Sequence, residues 1–207
     1  MNFKHNFCES KIFGKPEYIN AFTSLFISII PFFFKFPQIT SFKRIFFILF
    51  LNGLSSFYYH MKLDWIGKQL DELTMILIVY IFILKLIIIM HKLKLFYFID
   101  FLFLIIFVIN SISQFDFIFP ALFTIPIIIL LYLIYKLSKI YKDIKLHYFI
   151  FCLVGVFSWI TSELLCNKYT YIGHGLWHFF FPLGAVKIIS NLDFVLTRNR
   201  EINIDFV

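Results

Sequence analysis

The sequence predicts an all-α membrane protein built as a bundle of seven transmembrane helices. Hydrophobic residues make up 61% of the 207 residues, and charged residues only 15%, whereas soluble domains carry about 25% charged residues. The mean hydropathy is +0.87. The apolar runs are continuous and do not alternate with polar residues, as they would in the strands of a β-barrel. A soluble enzyme, a disordered chain and a disulfide-built secreted domain are therefore excluded.

Seven apolar segments approach the roughly 20 residues that a helix needs to cross a bilayer. They cover residues 20–36, 44–60, 70–90, 95–113, 116–135, 147–166 and 173–192. The chain shows no internal repeat and no low-complexity linker, so we expect one domain over residues 1–207. Residues 1–19 form its outer N-terminal segment, and residues 193–207 its cytoplasmic tail.

The basic residues predict the orientation of this bundle, because Lys and Arg collect in cytoplasmic loops. With seven spans the two termini lie on opposite sides. The N-terminal side holds six basic residues: Lys4, Lys11, Lys15, Lys62, Lys68 and Lys168. The other side holds twelve: Lys35, Lys43, Arg44, Lys92, Lys94, Lys136, Lys139, Lys142, Lys145, Lys187, Arg198 and Arg200. We therefore expect a cytoplasmic C-terminus and an outer or lumenal N-terminus. The net charge of +7 forms no dense basic cluster, so nucleic acid is not expected as a partner.

Polar residues inside the spans are functional candidates, because ionisable groups are costly in a bilayer. His174 and His178 are four residues apart and share one helix face, as do Ser56 and His60. Three histidines and a water molecule form a catalytic zinc site with one open position. In the predicted topology these residues and Asp71 all lie at the outer ends of their spans. The pattern therefore predicts one metal-dependent site.

Each of these residues also has a structural interpretation when it is taken alone. A single histidine in a span is more often packed through hydrogen bonds than bound to a metal. Asp71 is of a type that caps helices well. Ser56 is of a type that bonds back to its own helix. The functional interpretation therefore depends on the residues acting together.

The combined motif resembles that of the alkaline ceramidases, which belong to a superfamily of seven-span metal hydrolases that includes adiponectin-receptor-like proteins. The superfamily pattern is Ser-x3-His, an Asp, and His-x3-His near the end. Here it is Ser56…His60, Asp71 and His174…His178. Cys8-Glu9-Ser10, Glu17-Tyr18-Ile19-Asn20 and Leu70-Asp71-Glu72-Leu73 are similar to segments of the ceramidase branch. The resemblance covers nearly the whole chain.

The resemblance implies a multi-pass membrane hydrolase that cleaves ceramide into a sphingoid base and a fatty acid. His60, His174 and His178 would hold zinc. Asp71 would orient or deprotonate the water molecule at the metal, and Ser56 would hydrogen-bond the substrate carbonyl or its oxyanion. The lipid substrate would enter from the bilayer, and no obligate protein partner is implied. The membrane would be of endoplasmic reticulum or Golgi type in a eukaryote, and the inner membrane in a bacterium.

The resemblance also implies calcium ligands in the N-terminal segment, namely Asn6, the main chain at Phe7, Glu9, Lys11 and Glu17. Asn6 replaces an Asp of the family, and Lys11 replaces an Asn and has no free lone pair. Calcium takes six to eight oxygen ligands, so we expect weak calcium binding or none. Lys11 would then supply the positive charge between Glu9 and Glu17. Cys8 and Cys166 match family cysteines and are the candidate disulfide.

Two other functions remain open. One is a hydrolase that acts on another lipid amide or on an ester, since the site chemistry does not choose between these bonds. The other is a membrane receptor or scaffold that retains zinc only for structure. A purely structural zinc needs neither Ser56 nor Asp71, so the presence of both favours an enzyme.

Overall fold

The computed structural model describes residues 7–113 and 118–204, and the part that it describes contains helices and no strand. There are eight α-helices in these ranges. They are α1 (Cys8–Phe13), α2 (Tyr18–Ile29), α3 (Thr40–Lys62), α4 (Trp65–Ile89), α5 (Lys94–Ile112), α6 (Ile118–Ile140), α7 (Phe149–Leu165) and α8 (Gly173–Ile204). A 3-10 turn, Ile30–Phe33, extends α2, and another, Leu146–Tyr148, precedes α7.

A helix corresponds to each of the seven apolar segments, but several bounds differ from the prediction. α4 begins at Trp65, five residues earlier than predicted, because the Asp64 side chain accepts a hydrogen bond from the backbone N–H of Gly67 at 2.7 Å and caps the helix. α8 continues to Ile204, so most of the predicted tail is helical.

Five of the described helices are long and apolar enough to cross a membrane. They are α4, α5, α6, α7 with its preceding turn, and α8 up to Asn199. The stretch Tyr18–Phe33 is apolar but shorter. α3 is 23 residues long, but Lys43, Arg44 and its buried polar residues lower its hydropathy. The chain is therefore an integral membrane protein of helical type, and the count of seven spans and the orientation of the termini stay predictions.

The described helices pack as a series of neighbouring pairs that runs from α7 through α8, α2 and α3 to α4. α7 packs along α8, α3 along α4 and α2 along α3, and α2 also contacts α8. α4 further contacts α5 and α6. The apolar core lies between α3, α4, α6 and α8, with Phe42, Ile83, Leu133 and Ile189 fully or almost fully buried. Large apolar side chains such as Phe101 are exposed, which suits a surface that faces lipid.

Buried carboxylates determine where two helices begin. Both carboxylate oxygens of Asp193 on α8 accept backbone N–H groups ahead of α3, from Gln38 and Ile39, each at 2.8 Å. Glu9 on α1 does the same for α2, accepting from Ile19 at 2.7 Å and from Asn20 at 2.8 Å. A negative charge is favourable at a helix N-terminus. These contacts therefore fix α1 and α3 against their neighbours at opposite ends of the bundle.

Candidate metal centre

Three histidines from two helices meet at one end of the bundle. His60 lies in the last turn of α3, and His174 and His178 lie in the first turns of α8. Their exposed fractions are 1%, 5% and 1%. One nitrogen of each ring is available as a ligand, and these three atoms lie within 4.8 Å of one another. Among the described residues this is the single group of three or more histidine, cysteine or carboxylate side chains that could hold a metal ion.

Close helix packing brings the start of α8 to this place. A Cβ atom on Gly173 would clash with the backbone oxygen of Ser158 on α7. A Cβ atom on Gly175 would lie 3.0 Å from Oγ1 of Thr23 on α2. Two glycines on either side of His174 therefore let α8 approach both α7 and α2 at the point where it carries the histidines.

The hydrogen bonds of the Nδ1 atoms identify the nitrogen that faces the metal site. Nδ1 of His60 lies 2.7 Å from a carboxylate oxygen of Glu17, which can only accept. Nδ1 of His178 lies 3.1 Å from the hydroxyl oxygen of Thr23, and that hydroxyl donates to the carbonyl of Ile19 at 2.7 Å. Both Nδ1 atoms therefore carry the proton. Nε2 of each ring keeps its lone pair for a metal ion.

His174 faces a different partner. Its Nδ1 lies 3.5 Å from Oε1 of Glu163 in the last turn of α7. Both atoms are buried and make no hydrogen bond in the described structure. Each of the three rings thus has an oxygen atom beside its Nδ1. These oxygens belong to Glu17 ahead of α2, Thr23 on α2 and Glu163 on α7. This arrangement is typical of metal-binding histidines, whose second nitrogen is held by a carboxylate, a carbonyl or another acceptor.

The two residues predicted to act on substrate lie beside His60. Ser56 is one turn before it on α3 and is buried. Asp71 is partly buried in the second turn of α4. Its carboxylate accepts hydrogen bonds from the Ser56 hydroxyl and the Asn52 side chain, the latter at 3.0 Å. The structure therefore brings all five predicted residues of the motif to one end of the bundle.

The N-terminal segment covers this end of the bundle. Cys8 and Cys166 form a disulfide that joins α1 to the end of α7. The Phe7 ring packs edge-on against His174, with centroids 4.5 Å apart, and lies 5.6 Å from the His60 ring. The backbone N–H of Cys8 donates to Oε2 of Glu163 at 3.1 Å. The segment is thus attached to the metal centre by a covalent bond, a ring contact and a hydrogen bond.

The predicted calcium ligands have other partners. Asn6 lies outside the described residues. Both oxygens of Glu9 accept N–H groups of α2, and an oxygen of Glu17 contacts His60 and the Asn20 side chain. Lys11 is exposed and forms no salt bridge with either carboxylate in the described part of the chain. It therefore does not supply the positive charge we expected, because helix N–H groups and an imidazole already face these carboxylates. Weak or absent calcium binding therefore stays a prediction.

Thr23 and Asn52 are site residues that the sequence did not identify, and the sequence assigned Glu163 no role. Glu163 is visible as an ionisable residue in an apolar segment, which makes it a candidate, but no motif connects it with a histidine. Thr23 and Asn52 are ordinary polar residues of helices. No spacing in the sequence connects them with histidines on other elements.

A model of a known protein family, described as Ceramidase, matches residues 3–205. The match covers nearly the whole chain and includes all the histidines of the site. No curated protein sequence matches the chain at the level of similarity that we required.

Proposed function

The chain belongs to the ceramidase family, and we propose that it is a zinc-dependent membrane hydrolase that cleaves ceramide-type lipids into a sphingoid base and a fatty acid. Membership of this family implies a hydrolase that acts on amide bonds. The zinc ion, the reaction and the roles of individual residues are our inference from the site.

The observation that carries the proposal is the convergence of three buried imidazoles whose Nδ1 atoms face oxygen atoms. Neutral imidazole nitrogens at one point are the ligand set of catalytic zinc sites, which keep a further position open. His60, His174 and His178 would hold the ion. A zinc ion in such a site supplies Lewis-acid activation of water and of a carbonyl group.

Asp71 would move the proton during hydrolysis. Its carboxylate accepts hydrogen bonds from Asn52 and Ser56, and Ser56 lies one turn before His60 on α3, so the carboxylate lies near the imidazole cluster. It would accept the proton of the attacking water as the new C–O bond forms. It would then give that proton to the amide nitrogen as the C–N bond breaks, so that the products are a carboxylic acid and an amine. A positioned acid–base group contributes about 10²–10⁴-fold to such a reaction.

Ser56 would assist at the carbonyl oxygen. Its hydroxyl is buried one turn from His60 and donates to Asp71. When substrate is present, the same donor would turn to the oxygen on which negative charge develops. A single donor of this kind is worth about 10²–10³-fold in kcat.

The membrane setting supports a lipid substrate. The apolar outer surface of the helices faces the bilayer, where a two-chain lipid is dissolved, so the substrate can reach the bundle without entering water. We place the N-terminus and the metal centre on the outer or lumenal side and the C-terminus in the cytoplasm, since twelve of the assigned basic residues lie on the C-terminal side and six on the other.

The proposal is tested by ceramide turnover in the purified, detergent-solubilised protein. We expect equal amounts of sphingoid base and fatty acid. Asp71→Asn should lower kcat by about 10²–10⁴-fold and retain zinc. Asp100→Asn is the matched control, because Asp100 accepts a hydrogen bond from Tyr80 on α4 and its amide replacement can do the same.

Two results would contradict the proposal. Turnover of other lipid amides or of esters, with ceramide left intact, would indicate a different hydrolase. A well-folded protein that binds zinc and converts none of these lipids would indicate a receptor or scaffold.

A further inference from the structure

Glu163 lies between the N-terminal segment and a histidine of the metal centre. Its Oε2 atom accepts the backbone N–H of Cys8 at 3.1 Å. Its Oε1 atom lies 3.5 Å from Nδ1 of His174. Oε1 and Nδ1 are both buried and have no hydrogen-bond partner in the described structure. One carboxylate thus has one oxygen engaged and the other directed to a metal-ligand candidate.

We propose that Glu163 is a positioning residue for His174, and that it connects this histidine with the disulfide-held N-terminal segment. The proposal rests on the function given above, because it assumes that His174 binds zinc. It adds a residue outside the Ser-His-Asp-His-His motif and gives the disulfide a role in the metal centre.

The first step of the argument concerns the tautomer of His174. An ionised carboxylate can only accept a hydrogen bond. A hydrogen bond from Nδ1 to the nearby Oε1 atom would hold the proton of the neutral ring on Nδ1 and leave the lone pair on Nε2 for a metal ion. Partners of this kind fix both the tautomer and the orientation of a metal-binding ring. Glu17 is such a partner for His60, and Thr23 is such a partner for His178. Glu163 would be the corresponding partner of His174.

The second step concerns what holds Glu163. The N–H of Cys8 fixes one oxygen and thereby directs the other to His174. Cys8 itself is fixed by its disulfide with Cys166, three residues after Glu163 at the end of α7. The covalent bond, the N–H group and the carboxylate therefore form one short connection between α1, α7 and α8. Phe7, the residue before Cys8, packs on the His174 ring and limits its rotation.

The experiment measures zinc affinity by competition with a chelator, together with the thermal unfolding of the metal-free protein. Glu163→Gln keeps the size of the side chain and an acceptor for Cys8. Its amide group can also donate to Nδ1, which would favour the wrong tautomer of His174. We expect zinc binding to weaken by about 10–100-fold, with the unfolding temperature of the metal-free protein nearly unchanged. Glu163→Asp keeps the charge but is too short for both contacts, so we expect a smaller loss.

Glu72→Gln is the control, because Glu72 is a second buried carboxylate, which accepts from Asn110 at 3.0 Å and pairs with Lys68 on α4 at 3.8 Å. It should leave the zinc affinity unchanged. An unchanged zinc affinity in Glu163→Gln would overturn the proposal, as would an equal loss in the Glu72 control.

The connection to the disulfide is tested by combining variants. Cys8→Ser with Cys166→Ser should weaken zinc binding in the otherwise natural protein. It should have little further effect when Glu163→Gln is already present, because residues that act through one contact are not additive. If the combined variant loses zinc affinity by the product of the two separate fold-losses, the disulfide does not act through Glu163. If the disulfide-free protein does not fold, reduction of the purified protein with and without Glu163→Gln provides the same comparison.

The two proposals fail in different ways. If zinc affinity responds as expected but ceramide is not hydrolysed, the positioning role stands and the proposed reaction fails. If ceramide is hydrolysed in a zinc-dependent way and Glu163→Gln binds zinc normally, the reaction stands and the positioning role fails.

Discussion

A carboxylate oxygen of Glu17 lies 2.7 Å from Nδ1 of His60, across 43 positions of sequence. Glu17 is fully buried just ahead of α2, and His60 lies near the end of α3. The backbone N–H of Glu17 also donates to the carbonyl of His60 at 3.1 Å. The start of α2 is therefore bonded to the metal centre twice, through the main chain and through an imidazole.

We predict that Glu17→Gln weakens zinc binding by about 10–100-fold, the usual cost of losing a partner of a metal ligand. The amide can no longer hold the proton on Nδ1 of His60 by charge. Zinc competition measures the effect, with Glu72→Gln as the control. A normal zinc affinity in the variant would show that Glu17 only packs against the histidine.

We predict that Ser56→Ala lowers kcat for ceramide by about 10²-fold and leaves the zinc content unchanged. The hydroxyl is a donor and not a metal ligand in this arrangement. Ser158→Ala is the control, since its hydroxyl bonds to the carbonyl of Val154 on its own helix at 2.8 Å. Loss of zinc from the Ser56 variant would show that the hydroxyl is needed to bind the metal, and it would contradict the proposed role at the carbonyl oxygen.

We predict that Gly173→Ala destabilises the protein and displaces the start of α8. The added methyl group would meet the backbone of Ser158, and backbone cannot move aside as a flexible side chain does. A lower unfolding temperature together with weaker zinc binding is the expected result, because His174 is the next residue. Natural stability and affinity would show that α7 and α8 are less closely packed here than described.

We predict that calcium titration at micromolar concentrations does not change ceramide turnover. Glu9 accepts two N–H groups of α2, and an oxygen of Glu17 is engaged with His60. Activity is compared with added calcium and with a calcium-selective chelator. Calcium activation in this range would mean that the N-terminal segment rearranges to present its oxygens to the ion.

Much of the fold and the core of the site follow from local sequence patterns. Apolar segments of sufficient length predict the helices, and spacing of four residues predicts that His174 and His178 share a face. The ends of the helices are harder to predict from these patterns. The early start of α4 depends on the cap by Asp64, and the apolar pattern does not show that α8 continues to Ile204.

The hydrogen-bond and ion-pair partners of the histidines cannot be predicted from local sequence patterns. Glu17 precedes α2, Thr23 lies on α2 and Glu163 lies on α7. Each of them contacts a histidine that lies on another helix. Which polar residue faces which ring depends on helix packing, so no spacing within one helix predicts it. The resemblance gives Glu9 and Glu17 as calcium ligands, and the sequence likewise does not show that their oxygens contact α2 and His60.

The central claim is that the three histidines hold one zinc ion on which the reaction depends. The most direct test is the metal content of the purified protein by elemental mass spectrometry, beside His178→Ala, with ceramide hydrolysis measured on the same samples. We predict about one zinc per chain in the natural protein, and the loss of both zinc and turnover in the variant. A well-folded protein that carries no zinc and takes up none, or a variant that keeps its zinc and its activity, would contradict the account.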